Sequence, residues 1–358
     1  MITITGMIPV RKGRRIVDIF DLCALLPEKN DDSGIILDNL IIARSKIENP
    51  NYRKIICTVS GGGADSDIVV DICTKLDQDR KIDYVWFDTG LEYEATKRHI
   101  KELELKYGIE IEPYKADVPI PISCKRYGQP FISKKASEYI ERLQKHGFQW
   151  EDGSFEELYA RYPRCKAALR WWCNEWGEGS RFNIDHTEYL KEFMMLYPPE
   201  SVGIRISPKC CDGAKKNVLH KIINERKYDL NISGIRKFEG GARATAYKGC
   251  FDEDEDTGCD NYRPIFWYMT GTKALYNRCF GITNSDCYGR YGLKRTGCAG
   301  CPFGQEFEEE LNAMKKYEPI LYTAVNNIFD KSYMYTRMFN DFRKAKKADE
   351  LLKREAKT

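Results

Sequence analysis

The feature that most constrains this chain is a short apolar run that breaks at once into glycine. Ile55-Ile56-Cys57-Thr58-Val59 is rich in β-branched residues and runs directly into Ser60-Gly61-Gly62-Gly63-Ala64-Asp65-Ser66. From there Ile68, Val69, Ile72, Cys73 and Leu76 recur at the spacing of one buried helix face. The alternation continues: Ile82 to Phe87 reads as a strand, Glu94 to Tyr107 as an amphipathic helix, and Ile109 to Tyr114 as a third strand. Strands alternating with helices over so short a span predict an α/β fold built on a parallel, doubly wound sheet.

Ligands of such sheets bind beyond the carboxyl ends of the strands. Two suggestive segments fall there: Ser60 to Ser66 after the first strand, and Asp88-Thr89-Gly90, with Glu94 just beyond, after the second. Glycines let backbone N–H groups approach phosphate oxygens, and a following helix N-terminus favours an anion. The loop lacks a Gly-Lys-Ser/Thr ending, so it is not a Walker loop. The α/β pattern resumes after Val202, with a helix over 215–226, a strand over 229–233, and Gly234-Ile235-Arg236 as the turn leaving it, followed by Glu239 and Arg243. Guanidinium groups in such a turn suit planar, bidentate recognition of oxyanions.

These readings divide the chain into an N-terminal extension (1–52, with a weak helix near 37–47), a first α/β part (53–124), a helical insertion (125–204), a second α/β part with a cysteine site (205–304) and a helical C-terminal region (305–358). The insertion is aromatic: Phe148, Trp150, Phe155, Tyr159, Tyr162, Trp171, Trp172, Trp176 and Phe182 fall within 35 positions, with Arg161, Arg164, Arg170 and Arg181 interleaved. A small aromatic core is one explanation, and a stacking surface for bases is the other. The five acids of 252–256 read as a solvated loop.

Composition adds one oddity. The 358 residues carry 57 Lys+Arg against 54 Asp+Glu, ordinary for a globular chain, but include 14 Cys. The first 15 residues place their basic cluster after the apolar stretch, the reverse of a secretory signal, and no run approaches the ~18 apolar residues of a membrane span. A cytoplasmic protein with reduced cysteines and no membrane partner is therefore expected, and tight pairs of reduced cysteines suggest metal or redox chemistry. Cys210-Cys211 and Cys298-Ala299-Gly300-Cys301 are such pairs. Adjacent cysteines diverge, which fits one tetrahedral zinc poorly and a cubane better, because each thiolate then takes a different iron. A [4Fe–4S] cluster, a structural zinc and plain buried cysteines all remain open at this point.

Taken together, the motifs resemble those of the phosphoadenosine phosphosulfate and adenylyl sulfate reductase family, within the PP-loop ATP-pyrophosphatase superfamily. The glycine loop is similar to that family's Ser-Gly-Gly-x-Asp-Ser with one residue extra, so either Ser60 is displaced outward or Gly61 takes its place. Asp88-Thr89-Gly90, the Gly234-Ile235-Arg236 turn with Glu239 and Arg243, and Arg263-Pro264-Ile265 with Trp267 follow in family order. The segments 206–211 and 295–304 resemble the [4Fe–4S]-bearing phage and clostridial relatives. The resemblance implies an adenine nucleotide alpha hydrolase-like fold. It also implies that Ser60, Gly61, Gly62, Gly63, Asp65, Ser66, Asp88, Thr89, Gly90, Gly234 and Arg236 bind an adenine nucleotide, either ATP or adenylyl or phosphoadenylyl sulfate. Asp65, Lys215, Arg236 and Arg243 would serve catalysis, and Cys210, Cys211, Cys298 and Cys301 would hold a [4Fe–4S] cluster, with Lys215 or Lys216 beside it.

One departure matters. Reductases of the family attack sulfate with a cysteine in a C-terminal tail, whereas the last cysteine here is Cys301, leaving Cys124, Cys165 or Cys173 as substitutes. The leading expectation is therefore ATP-dependent activation and sulfur transfer, for which the arginine-bearing insertion would suit a nucleic-acid acceptor. Reduction of adenylyl or phosphoadenylyl sulfate, with a thiol or electron donor protein, is the second reading. A non-catalytic nucleotide- and cluster-bearing regulatory or defence subunit is the third. Oligomeric state is left open.

Overall fold

The computed structural model describes residues 22, 24–26, 30–61, 63–239, 247–304 and 307–355. In chain order, the first part holds α1 (Asp31–Ile47), β1 (Ile55–Val59), α2 (Ala64–Leu76), β2 (Ile82–Asp88), α3 (Glu94–Tyr107) and β3 (Ile111–Lys115). Then come α4 (Ile120–Tyr127), α5 (Lys134–Lys145), α6 (Phe155–Arg161), α7 (Lys166–Trp172), α8 (Leu190–Leu196) and the short α9 (Lys209–Cys211). The chain continues through α10 (Asn217–Arg226), β4 (Leu230–Ser233), β5 (Phe251–Asp252), β6 (Asp260–Tyr262), α11 (Thr270–Phe280) and α12 (Asp286–Gly289). It ends in α13 (Phe307–Tyr317), α14 (Pro319–Ile328) and α15 (Asp330–Glu355).

Two compact units result: residues up to 116 with 217–297, and 117–216 with 298 onward. The first unit is the expected doubly wound α/β fold. Its six strands run in the order β3-β2-β1-β4-β6-β5, all parallel except β5. β1 is apolar throughout because both of its faces are covered. Ile55, Cys57 and Val59 pack with Ile36 and Leu40 of α1 and Ile68, Val69 and Ile72 of α2. Ile56 faces the other way, with Val85, Val218 and Ile222. After β3 the chain returns to the opposite side of β1, so the connection reverses between β1 and β4.

The sequence did not foresee the β5–β6 edge. The acidic stretch lies largely within this hairpin, and Asp252 is more than a solvated acid. It accepts a bidentate pair from the buried Arg263, whose Nη2 lies 2.9 Å from Oδ2. A buried guanidinium needs such a partner.

The second unit is helical. Phe148, Trp150, Trp171 and Trp172 are buried in one core with Tyr139, Leu143 and Phe193. Tyr335 and Phe339 of α15 join that same core, with Phe131 and Tyr335 ring centroids 4.7 Å apart. The aromatic run is thus mainly a core, and the C-terminal helix completes it. Sequence reading had set 125–204, 205–304 and 305–358 apart, but the unit boundaries cut through 205–304: Cys210–Cys211 and Cys298–Cys301 belong to the helical unit. Chain order alone gives no sign of this, because the contacts that decide it join distant segments. Among the described residues, no helix is long and apolar enough to cross a membrane.

His99, to which the sequence reading assigned nothing, ties α3 to α2 inside the first unit. Its Nε2 lies 2.9 Å from Asp67 Oδ2, and both side chains are buried. Burial alone would pull His99 down, but the Asp67 bond and charge, helped by Glu102, hold it above its ordinary value of 6.5. A raised histidine stabilises the fold fully below its unfolded value, and that contribution is lost as pH rises through the folded one. Thermal melting should therefore show stability falling as pH is raised above about 6.5, and His99→Gln should flatten that slope while costing about 1–3 kcal/mol at low pH. An unchanged slope in the variant would remove His99 as its source.

Candidate functional site

The turn between β1 and α2 is organised by two serines. Ser60 Oγ accepts the Gly63 N–H at 3.1 Å and lies 2.9 Å from Ser66 Oγ. Ser66 Oγ in turn donates to the Gly63 carbonyl at 2.8 Å. The Ser60 side chain is therefore folded into the turn and not displaced outward. A side chain at Gly63 would overlap Ser60 Oγ and push it out of the turn. Gly63 is also the N-cap of α2, and no side chain caps the helix end. Gly62 lies outside the described residues.

Beyond β2, Asp88 Oδ1 accepts the Gly90 N–H at 2.9 Å, closing an Asx turn. Thr89 is fully buried and donates to Glu92 Oε1 at 2.7 Å, so its hydroxyl braces this loop from within. Glu94 pairs with Lys97 at 2.6 Å on the surface.

The turn after β4 reaches the glycine loop directly. Gly234 packs on the backbone of Asp65, where an added Cβ would stand 3.2 Å from the Asp65 carbonyl carbon. Arg236 Nε donates to Asp65 Oδ2 at 2.8 Å, and its Nη1 reaches the Tyr268 carbonyl at 3.3 Å. The Arg236 N–H donates to Glu239 Oε1 at 3.2 Å. The structure thus joins Ser60, Gly63, Asp65, Ser66, Gly234 and Arg236 at the reversal between β1 and β4, where open α/β sheets bind ligands. Arg243 lies outside the described residues.

Lys273 was missed by sequence reading. It sits in the first turn of α11, and its Nζ lies 2.7 Å from Asp65 Oδ1. Lys273 Nζ is thus the partner of Oδ1, as Arg236 Nε is of Oδ2. One signal was available: a lysine in the first turn of a helix opposes the helix dipole, so something must hold it there.

The helical unit gathers the cysteines. Cys210 and Cys211 form α9, followed by a π-helical turn, Asp212–Lys216, that holds Lys215 and Lys216. Such turns are frequent at functional sites. Cys210 is held above the ordinary thiol range first by the neighbouring Cys124 thiol of α4, with burial adding to it. Cys211 is pushed up by its bond to Cys210 and by burial, against the opposing charges of Lys134 and Lys215. Burial, then Cys298 and Cys211, raise Cys301. The turn carrying Cys298 and Cys301 is anchored by the Tyr333 hydroxyl, which donates to the Gly300 carbonyl.

These five thiols are a soft donor set, buried at Cys124 and Cys210 and half-buried at Cys211, Cys298 and Cys301, and soft thiolates are what iron–sulfur clusters and zinc select. Among the described residues, no three His, Cys, Asp or Glu are grouped so as to hold a metal ion. The other cysteines are placed elsewhere. Cys57 and Cys73 are free thiols buried in the sheet core, and Cys250 and Cys259 lie in the first unit. Cys259 is pushed up to about 12, chiefly by burial. Cys165 and Cys173 bracket α7 and donate to different carbonyls, those of Arg142 and Gly153.

Residues 54–149 match the model of the phosphoadenosine phosphosulfate reductase domain. An uncharacterized protein of Methanocaldococcus jannaschii, MJ0066, is 24% identical over 290 residues, covering 77% of this chain and 42% of that protein. The chain thus spans less than half of that relative's length. Among solved structures, a phosphoadenylyl-sulfate reductase from Candida auris is 12% identical with a TM-score of 0.38, over 78% of this chain and 93% of its own. The U34-tRNA thiolase NcsA from Methanococcus maripaludis, with its [4Fe–4S] cluster, is 12% identical with a TM-score of 0.36, over 86% and 80%. Such distant likeness says nothing of chemistry here.

The loop geometry is testable on its own. Gly63→Ala should destabilise the chain by about 1–3 kcal/mol through overpacking against Ser60. In the double variant with Ser60→Gly, much of that loss should return as a favourable coupling in a denaturation cycle. Strict additivity would show that the two residues do not meet.

Proposed function

We propose that this chain is an adenine-nucleotide enzyme that activates a substrate with ATP and transfers sulfur to it. The observation that carries the reading is the Ser60–Ser66 turn at the β1–β4 reversal with Arg236 at its edge, which supports a loop built to grip phosphates. In this reading the loop amides and the N-terminus of α2 hold the β- and γ-phosphates. The Asp88–Gly90 turn lies against the nucleoside. Arg236, with Arg243, steadies the charge that develops where the bond to the α-phosphorus changes. A substrate oxygen attacks that phosphorus and pyrophosphate leaves; a sulfur nucleophile then displaces AMP from the adenylated substrate.

Cys210, Cys211, Cys298 and Cys301 would hold a [4Fe–4S] cluster, which four thiolates suit. When bound, the cluster would supply a site for sulfur or electrons. Lys215, whose charge already acts on Cys211, would tune that environment. The insertion's exposed pair, Trp176 and Phe182, is compatible with a nucleic-acid acceptor, since Arg170 stacks 3.9 Å over Trp176.

One observation favours a second reading, reduction of adenylyl or phosphoadenylyl sulfate. Cys124 is a fifth thiol beside Cys210 and is not needed as a cluster ligand. It would attack the sulfate sulfur and release the nucleotide, and a donor thiol would then free sulfite.

Labelled ATP separates the readings. Release of pyrophosphate and AMP with a sulfur donor is expected, whereas sulfite from adenylyl sulfate without ATP turnover would replace the first reading by the second. Anaerobically purified protein should carry about four irons per chain, reduced several-fold in Cys298→Ala. One zinc per chain in place of iron would overturn the cluster.

A further inference from the structure

The pair of cations on Asp65 has a use that neither the loop motif nor the family match assigns. Asp65 stands at the second position of α2, in the first turn, where the helix dipole favours an anion. Arg236 Nε holds one carboxylate oxygen at 2.8 Å, and Lys273 Nζ approaches the other at 2.7 Å. The three side chains are only partly covered, with 12%, 21% and 19% of Arg236, Lys273 and Asp65 exposed. A carboxylate gripped by a guanidinium, an ammonium and a helix N-terminus occupies the kind of place a phosphate or sulfate group would take.

The two pairings differ in kind: Arg236 donates a hydrogen bond to Oδ2, whereas Lys273 meets Oδ1 as an ion pair at 2.7 Å. A first-turn lysine is mildly disfavoured by its own helix, and here the Asp65 carboxylate offsets that cost. An ammonium at the end of a flexible stem can follow an oxyanion through a small movement, whereas the planar guanidinium is fixed by its second bond to the Tyr268 carbonyl.

We propose that Lys273 is an anion-binding residue of this site and that Asp65 is its internal counter-ion, which a tetrahedral oxyanion of the substrate displaces. The inference rests on the nucleotide-loop reading and adds to it a second cation and a mechanism of exchange. Lys273 lets go of the carboxylate and takes the oxyanion, while Asp65 keeps its charge and stays paired with Arg236 Nε and the N-terminus of α2. The oxyanion is either the pyrophosphate end of ATP or the sulfate of a sulfated nucleotide. The two cations serve both, and the probe anions below distinguish them.

The test is calorimetric binding of ATP, inorganic pyrophosphate and inorganic sulfate to the full chain at two salt concentrations. Lys273→Ala should weaken pyrophosphate binding about tenfold, which is about 1.4 kcal/mol, and make it less salt-dependent. Lys273→Arg should restore most of the loss. Asp65→Asn should act in the opposite direction and tighten pyrophosphate several-fold, because the competing charge is gone. Preference for pyrophosphate over sulfate in these shifts assigns the cations to the ATP end, and the reverse assigns them to the sulfate. Equal pyrophosphate affinity in wild type and Lys273→Ala, with unchanged melting temperature, overturns the proposal while leaving the loop reading intact. So does weaker binding in Asp65→Asn. Wild-type protein that binds none of the three anions overturns both. If Lys273→Ala melts early, Lys273→Gln makes the same comparison.

Discussion

The arrangement depends on β1 being pinned on both sides. Cys57 is opposite Tyr84 of β2 in one ladder and Ile232 of β4 in the other, so the central strand cannot shift register without breaking both. Its carboxyl end, where Val59 gives way to Ser60, is therefore a fixed point. The strand next to it in space, β4, comes from more than a hundred residues later in the chain, and its own terminal turn is delivered to the same edge. Two loops of opposite chemistry meet there: one offers backbone amides, the other a guanidinium. Neither segment forms the site alone.

This explains which parts were legible in advance. β1 and α3 fell where the periodicity placed them, because a five-residue apolar strand and a capped amphipathic helix are strongly patterned locally. The glycine loop was legible as a phosphate-binding turn, but its register was not, since the choice between Ser60 and Gly61 depends on where Ser60 Oγ points. Arg236 was legible from its turn; the Asp65 partnership was not, because the two are 171 positions apart. Lys273 and the His99–Asp67 pair escaped for the same reason. β5 and β6, at two and three residues, are too short to stand out.

The cysteines are a mixed case. The pairs Cys210–Cys211 and Cys298–Cys301 stand out by spacing, but their place together in the helical unit, where Tyr333 anchors the Gly300 carbonyl, does not follow from sequence order. Cys124, a substitute nucleophile by sequence, lies beside Cys210 and adds a fifth thiol to the set. The aromatic insertion went chiefly to core formation. Trp171 and Trp172 are buried, while Trp176, Phe182 and Tyr197 are exposed.

The central claim is that the turn over 60–66 grips the phosphates of an adenine nucleotide. A crystal structure of the full chain with a non-hydrolysable ATP analogue tests it most directly. The account predicts the terminal phosphates on the backbone amides of that turn, with Arg236 in contact with a phosphate oxygen. Nucleotide bound away from the β1–β4 reversal, or phosphates pointing away from the turn, would contradict it.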